Sequence, residues 1–176
     1  MHQIKIKYYK SPFGELVLGS FEDKLCLCDW RYRKMRNSID KSLRTRLNAG
    51  FVEEITSVVE NTISQLGEYF VGKRTEFKIP FVLIGSDFQK RVWNELLQIP
   101  YGKTESYLGL SKKMGDEKAI RAVAAANGAN QISIIVPCHR IVGRNGKLVG
   151  YAGSLPVKMK LLNIENAIIN GQFRLF

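Results

Sequence analysis

The chain has 176 residues, 45% of them hydrophobic, enough for one sizeable core or for two small domains that share an interface. No run approaches the roughly 20 apolar residues of a membrane-spanning helix, and the alternating start Met1-His2-Gln3-Ile4-Lys5-Ile6-Lys7 lacks the apolar stretch of a secretory leader. A formal net charge of +11 fits a polyanionic partner, nucleic acid or a membrane surface, and equally a merely basic surface.

Three short strands are predicted at Ile4–Tyr9, Glu15–Ser20 and Lys24–Trp30, with turns at Ser11-Pro12-Phe13-Gly14 and Glu22-Asp23. Residues 31–50 are basic and polar without a clear period, and read as a surface loop or a short helix. From Val52 the apolar positions Val52, Ile55, Val59, Ile63, Leu66 and Phe70 step by three or four, which predicts an amphipathic helix that stops near Gly72. Phe77–Ile84, broken by Pro80, is a strand or an extended connector. The domain boundary is placed within 72–86, giving an α/β domain over 1–85 and a mostly helical domain over 86–176. The second half carries more of the charge: net +7 over residues 87–176 against +4 over 1–86.

Ser86 followed by Gln89 matches a capping box. A helix then buries Phe88, Val92, Leu96 and Leu97 and ends at Pro100-Tyr101-Gly102. A second helix is predicted over Thr104–Met114, with Tyr107, Leu110 and Met114 on one face. A third is predicted over Glu117–Asn127, with Ile120, Val123 and Ala124 inward. Two short helices across a Gly-containing turn have helix-turn-helix spacing. The third helix is otherwise nearly all alanine: Ala122, Ala125 and Ala126 stand beside Arg121. Such a helix suits tight burial, since alanine is a good helix former. It equally suits entry into a DNA minor groove, which is only about 6 Å wide.

Three cysteines, Cys26, Cys28 and Cys138, do not form a disulfide framework and fit a reducing compartment. Cys26 and Cys28 sit two apart in a strand and are expected to face one side of it, in the core. Cys138 differs, because it stands in Ile134-Ile135-Val136-Pro137-Cys138-His139-Arg140-Ile141-Val142. A free thiol with a pKa near 8.5 is mostly protonated at neutral pH and needs a base or a cation to become a nucleophile. His139 and Arg140 offer both. A buried, inert cysteine is the alternative.

Residues 87–165 resemble the catalytic domain of the O6-alkylguanine-DNA alkyltransferases, the methylated-DNA–protein-cysteine methyltransferases. The resemblance rests on Pro137-Cys138-His139-Arg140, on Arg121-Ala122-Val123 and Asn130 upstream, and on Gly150-Tyr151 and Glu165 downstream. It implies an N-terminal domain of ribonuclease-H-like topology, and a C-terminal domain with a winged-helix-like helix-turn-helix. The implied activity is irreversible, stoichiometric transfer of an alkyl group from O6 of guanine to Cys138, with the nucleotide flipped into a pocket. O4 of thymine is left open as a second target.

By the same resemblance, His139 takes the thiol proton through a water and Glu165 orients His139. Asn130 ties the segment before Cys138 to the turn between the two helices. Tyr107 faces the target nucleotide and donates to guanine N3. Arg121 fills the gap in the duplex, with Ala122, Ala125, Ala126 and Arg140 also at the DNA. Ile141, by its backbone carbonyl, Ser133, Tyr151, Ala152, Gly153 and Ser154 form the pocket. Ala152 stands where the family often has serine, and Ser133 where some members have proline; Gly153 implies room for groups larger than methyl. No cofactor or metal is expected. The expected partner is double-stranded DNA carrying O6-alkylguanine, bound through the minor groove by the second helix of the helix-turn-helix of a monomer; no membrane partner is expected. The expected location is the cytoplasm, at the nucleoid of a prokaryote, or the nucleus of a eukaryote. A cysteine hydrolase, a lesion-binding module without transfer and a plain helix-turn-helix regulator are the rivals.

Overall fold

Three strands form, β1 (His2–Ser11), in which apolar and polar side chains alternate, and β2 (Gly14–Phe21) and β3 (Lys24–Trp30), which are nearly continuous buried runs. In β1, Ile4 and Ile6 are buried while Lys5 and Lys7, which follow each of them, are only half-buried. Glu22 (φ 47°) and Asp23 (φ 60°) make the tight β2–β3 turn with both central residues left-handed, the geometry that matches strand twist. The computed structural model describes residues 1–169, 172 and 173. They fall into two compact units, Met1–Gly85 and Ser86–Phe176.

The first unit is a four-stranded sheet of order β3-β2-β1-β4, in which β4 (Ala49–Glu53) runs parallel to β1 and the other pairs are antiparallel. Two helices cover it, α1 (Arg36–Leu47) and α2 (Ser57–Phe70). Helix α1 has no side-chain cap. Its start is held instead by Arg33 and Arg36, which converge on the fully buried Asp29 at 3.1 and 2.8 Å. Only Ile39 and Leu43 of this helix are buried, in a cluster with Ile4, Ile6, Val17 and Leu27. The segment 31–50 therefore contains a full helix, one that its polar sequence hides.

Two expectations change in this unit. Val52 and Ile55 are not helical: Val52 pairs with Lys5 in β4, and Ile55 is exposed. The helix starts only where the Thr56 hydroxyl accepts from the Val59 N–H. The apolar spacing was continuous, but pairing with the free edge of β1 satisfies more backbone than a longer helix would. Cys26 and Cys28 do not simply alternate, because the register shifts between Gly19 and Ser20 and Cys26 is the extra residue. Both thiols are buried, and burial pushes Cys26 up to about 12, which makes it inert. The segment after Gly72 is an extended connector, joined to Leu25 by Leu25 N–H to Pro80 O and Val82 N–H to Leu25 O, both 2.9 Å.

The second unit is mostly helical. Helix α3 (Asp87–Leu96) begins with the capping box read from the sequence: Gln89 N–H donates to the Ser86 hydroxyl and Ser86 N–H to Gln89 Oε1. Val92, Trp93 and Leu96 form its buried face, so that Trp93 is a core member the periodicity overlooked. Thr104 does not start a helix. Glu105–Ser106 form β5, parallel to β6 (Ile141–Val142), and α4 (Tyr107–Lys113) follows, capped by Ser106. Asp116 caps a single turn over Glu117–Ala119, and α5 (Ile120–Gly128) continues from it. Ile120 is exposed rather than inward; Val123, Ala126 and Asn127 are the buried residues. Helices α3, α4 and α5 pack on one another, and Trp93 Nε1 donates to Ala126 O at 2.8 Å. Helix α6 (Leu155–Ile164) closes the unit, followed by a two-stranded hairpin, β7 (Ile168–Ile169) with β8 (Gln172–Phe173). Among the described residues no helix is long and apolar enough to cross a membrane.

Candidate active site

The segment leading to Cys138 is built from tight turns. Ile135 N–H donates to Ser133 O at 2.9 Å, closing a three-residue turn around Ile134. Ile134 is thereby held at φ 74°, a conformation costly for a β-branched residue. A second such turn forms around Pro137, with Cys138 N–H to Val136 O at 2.8 Å. Asn130 spans the loop: its Nδ2 donates to Val136 O at 2.8 Å, and its Oδ1 accepts from Ile132 N–H at 3.0 Å. A side chain that satisfies both a donor and an acceptor of a buried loop holds it far better than an apolar one.

Cys138, His139 and Arg140 then form one turn of 3₁₀ helix and are all buried. Cys138 as a residue retains 4% exposure. His139 Nε2 lies 2.8 Å from Glu165 Oε1, and His139 Nδ1 is buried with no hydrogen-bond partner among the described residues. Glu165 is fully enclosed and also receives Arg140, through Nε to Oε2 at 2.9 Å and NH2 to Oε1 at 3.0 Å. Arg140 NH1 donates to Ile99 O at 2.6 Å. Burial alone would raise the Glu165 pKa, but His139 and Arg140 outweigh it and hold the carboxyl well below its usual range. The carboxylate is therefore charged at neutral pH and fixes the imidazole through one nitrogen.

Two further groups feel the Cys138 sulfur. Tyr107, the first residue of α4, has its phenol pKa raised by burial and then by the charge of Cys138, while the Asn127 side chain lowers it. Lys158 on α6 is fully buried, and its Nζ donates to Val149 O and Gly150 O, both at 3.1 Å. Burial lowers its pKa to about 8, against an opposing pull from Cys138. The two carbonyls belong to the loop that continues into Tyr151, Ala152 and Gly153, which are half-buried, and exposed Ser154. The Tyr151 ring meets the His139 ring edge-on, with centroids 6.5 Å apart.

Ser154 caps α6 by accepting from Val157 N–H, yet sits at φ 96° and ψ 158°. That region is essentially glycine territory and costs other residues on the order of 1–3 kcal/mol. Glycine in place of a serine N-cap loses only a few tenths of a kcal/mol, and its unfolded-state entropy costs about 0.5–1 kcal/mol. Ser154→Gly is therefore expected to stabilise the fold by about 1 kcal/mol, raising Tm by roughly 2–4 °C. An unchanged or lower Tm in calorimetry would contradict this.

Residues 4–83 match the model of the 6-O-methylguanine DNA methyltransferase ribonuclease-like domain, and residues 87–167 match that of the DNA-binding domain. The chain belongs to the 6-O-methylguanine DNA methyltransferase family. It is 41% identical over 169 residues to a methylated-DNA–protein-cysteine methyltransferase of Mycobacterium leprae, covering 94% of each chain. It is 37% identical over 172 residues to the constitutive enzyme of Bacillus subtilis, covering 91% of this chain and 96% of that one. The structure of Mycobacterium tuberculosis OGT in complex with DNA superposes with a TM-score of 0.76 at 37% identity, over 93% of this chain and 92% of that one.

Within this methyltransferase-family fold, Cys138, His139, Glu165, Asn130 and Tyr107 are gathered into one neighbourhood. Arg121, Ala122 and Ala125 lie exposed along α5. Three assignments need correction. Ala126 is 3% exposed; it faces α3, where Trp93 grips its carbonyl, and presents no surface to DNA. Arg140 is turned inward, where its donors are taken by the Glu165 carboxylate and the Ile99 carbonyl. Ser133 is fully buried, with its carbonyl taken by Ile135, and presents no surface to a ligand. Ile141 is buried in β6. Lys158 was not recognised in the sequence. The signal was there: Val157, Lys158, Leu161 and Leu162 follow helical spacing, which puts the lysine on the apolar face. Among the described residues no group of three or more His, Cys, Asp or Glu side chains could hold a metal.

Proposed function

We propose that this protein repairs DNA by taking an alkyl group from O6 of guanine onto Cys138, once per chain. The observation that carries the reading is the Cys138 turn, with a cysteine beside a carboxylate-held histidine, a buried lysine and a phenol. The damaged atom lies inside the base stack, so the nucleotide must be extruded to meet a buried sulfur. In this reading α4 and α5 act as a helix-turn-helix, in a winged-helix-like domain that follows a ribonuclease-H-like one. Helix α5, narrow because Ala122 and Ala125 are small, enters the minor groove, and Arg121 occupies the gap left in the duplex. A monomer suffices, since every group invoked comes from one chain.

The chemistry is a displacement. His139, oriented by Glu165, accepts the Cys138 proton through a water at its unpartnered Nδ1. Sulfur forms a bond to the alkyl carbon as the carbon–O6 bond breaks, and the electron pair passes to the guanine ring. The Tyr107 hydroxyl supplies a proton at N3, cancelling the developing charge. Tyr151, Ala152, Gly153 and Ser154 wall the base, and carbonyls of Cys138 and Ile141 receive its exocyclic amine. The thioether product has no carbonyl for water to attack, so the protein is consumed.

Intact-mass measurement after mixing with a duplex containing O6-methylguanine tests the proposal. The expected result is a gain of one methyl group per chain, mapped to Cys138 and absent in Cys138→Ser. A protein that restored many lesions per chain without gaining mass would instead be a hydrolase. One that bound the lesion and left it intact would be a recognition module.

A further inference from the structure

Glu165 stands at the C-terminal cap of α6, where the last carbonyls of a helix have no partner within it. The chain that follows closes two of them. Asn166, at φ 49°, turns back so that its N–H donates to Asn163 O and the Ala167 N–H to Leu162 O, both at 3.0 Å, a common left-handed cap. The Ile164 carbonyl goes elsewhere: it accepts from the Tyr101 hydroxyl at 3.0 Å, 63 positions away.

Tyr101 belongs to a turn that reaches Glu165 by three routes. Lys103 N–H donates to Pro100 O at 3.1 Å and closes a four-residue turn with Gly102 third, at φ 77°, the position where a type II turn needs glycine. The same glycine stands against Glu165 itself, since a Cβ there would lie 3.0 Å from the Glu165 carbonyl oxygen. Ile99, just before the turn, accepts from Arg140 NH1 at 2.6 Å, and Arg140 grips both carboxylate oxygens of Glu165. Arg140 Cζ lies 5.8 Å from the centroid of the Tyr101 ring, within cation–π reach. Residues 99–102 therefore hold the backbone just before Glu165, crowd its own carbonyl and hold the cation on its carboxylate. That carboxylate, so fixed, accepts from His139 Nε2 at 2.8 Å.

We propose that Tyr101 is a positioning residue for alkyl transfer: its hydroxyl anchors the end of α6 where Glu165 meets His139. This rests on the proposed function, in which His139 takes the proton of Cys138. The role runs through Glu165 alone. Tyr101→Phe removes the hydroxyl and keeps the ring beside Arg140. Gly102→Ala presses on the Glu165 carbonyl and adds the strain of a left-handed alanine. Gly72→Ala supplies that strain by itself, because Gly72 has φ 74° and nothing among the described residues lies within 4 Å of an added Cβ.

The test is single-turnover methyl transfer from an O6-methylguanine duplex, with protein in saturating excess, for wild type, Tyr101→Phe, Gly102→Ala and Gly72→Ala, and for Tyr101→Phe combined with Glu165→Gln. Tyr101→Phe is expected to slow transfer about 5-fold, the worth of one hydrogen bond, and Gly102→Ala at least about 10-fold. Gly72→Ala, with a similar fall in Tm, should react at the wild-type rate. Tyr101→Phe should slow Glu165→Gln no further, because residues acting as one unit are not additive. In ¹⁵N-histidine NMR, the Nε2–H proton of His139 is drawn downfield by its bond to the carboxylate. It should move upfield in Tyr101→Phe, which a loss of packing elsewhere would not cause. An equal loss in the Glu165→Gln background, an unmoved His139 resonance, or a Gly72→Ala as slow as Gly102→Ala would each overturn the proposal. If wild type took no methyl at all, the functional reading would fail and this proposal with it; full-rate transfer by Tyr101→Phe beside an active wild type would sink this proposal alone.

Discussion

Glu165→Gln is expected to slow methyl transfer at least ~100-fold and to destabilise the protein by about 3 kcal/mol. The two effects have separate origins. The rate falls because glutamine no longer supplies the negative charge that holds His139 through Nε2 and leaves Nδ1 for the proton of Cys138. Stability falls because the Arg140 guanidinium stays in the interior without its charge partner, and the one oxygen of glutamine cannot fill both positions that the two carboxylate oxygens fill for Arg140 and His139. At roughly 2–4 °C per kcal/mol for a chain of this size, Tm should drop by roughly 10 °C. Replacing both partners by apolar residues, Arg140→Leu with Glu165→Met, should return most of the stability and none of the rate. A double variant that recovered transfer would remove Glu165 from the mechanism. The pH dependence has a definite sign. The folded-state pKa of Glu165 lies below its ordinary 4.5, so its contribution is fully present above that value and is lost only as pH falls through the lower, folded one. The stability gap between wild type and Glu165→Gln should therefore be flat from pH 8 to pH 5 and narrow only in stronger acid.

Lys158→Met should have the opposite profile: transfer slowed by about 10- to 100-fold at pH 7, with Tm unchanged or raised. A cation near a thiol stabilises the thiolate by 1–3 pKa units, and methionine removes that cation while filling its volume. Holding a charged amine in the core is itself unfavourable, by up to about 3 kcal/mol on the shift of its pKa from 10.5 to about 8. For a base with a lowered folded pKa, the unfolded chain binds the extra proton between those two values, so stability rises with pH across that window. Wild type should accordingly gain on Lys158→Met between about pH 8 and 10.5. Its transfer rate should lose the lysine's contribution over the pH range just above 8. Chemical denaturation from pH 7 to 10, paired with single-turnover rates, measures both. A Met variant that reacted at the wild-type rate would reduce Lys158 to a clamp on the Val149 and Gly150 carbonyls.

Local signals were legible in the sequence alone. Alternation marked β1, turn residues on either side marked β2 and β3, Ser86 and Gln89 marked the start of α3, and Pro137-Cys138-His139-Arg140 marked the reactive turn. Each is written in side chains within a few positions of one another, where period and capping geometry act directly. Contacts between distant positions were decided only by the tertiary structure. Val52 lies in a strand because the edge of β1 was free to pair with it, 47 positions away. Arg140 turned inward because Glu165, 25 positions on, offers a buried charge. Ala126 was withdrawn from the exposed face of α5 by the indole of Trp93, 33 positions before it. Lys158 became part of the site only when packing of α6 buried it near Cys138. A linear sequence shows which side chains can make such pairs, whereas the choice among partners is set by desolvation and by which donors and acceptors the folded core leaves open.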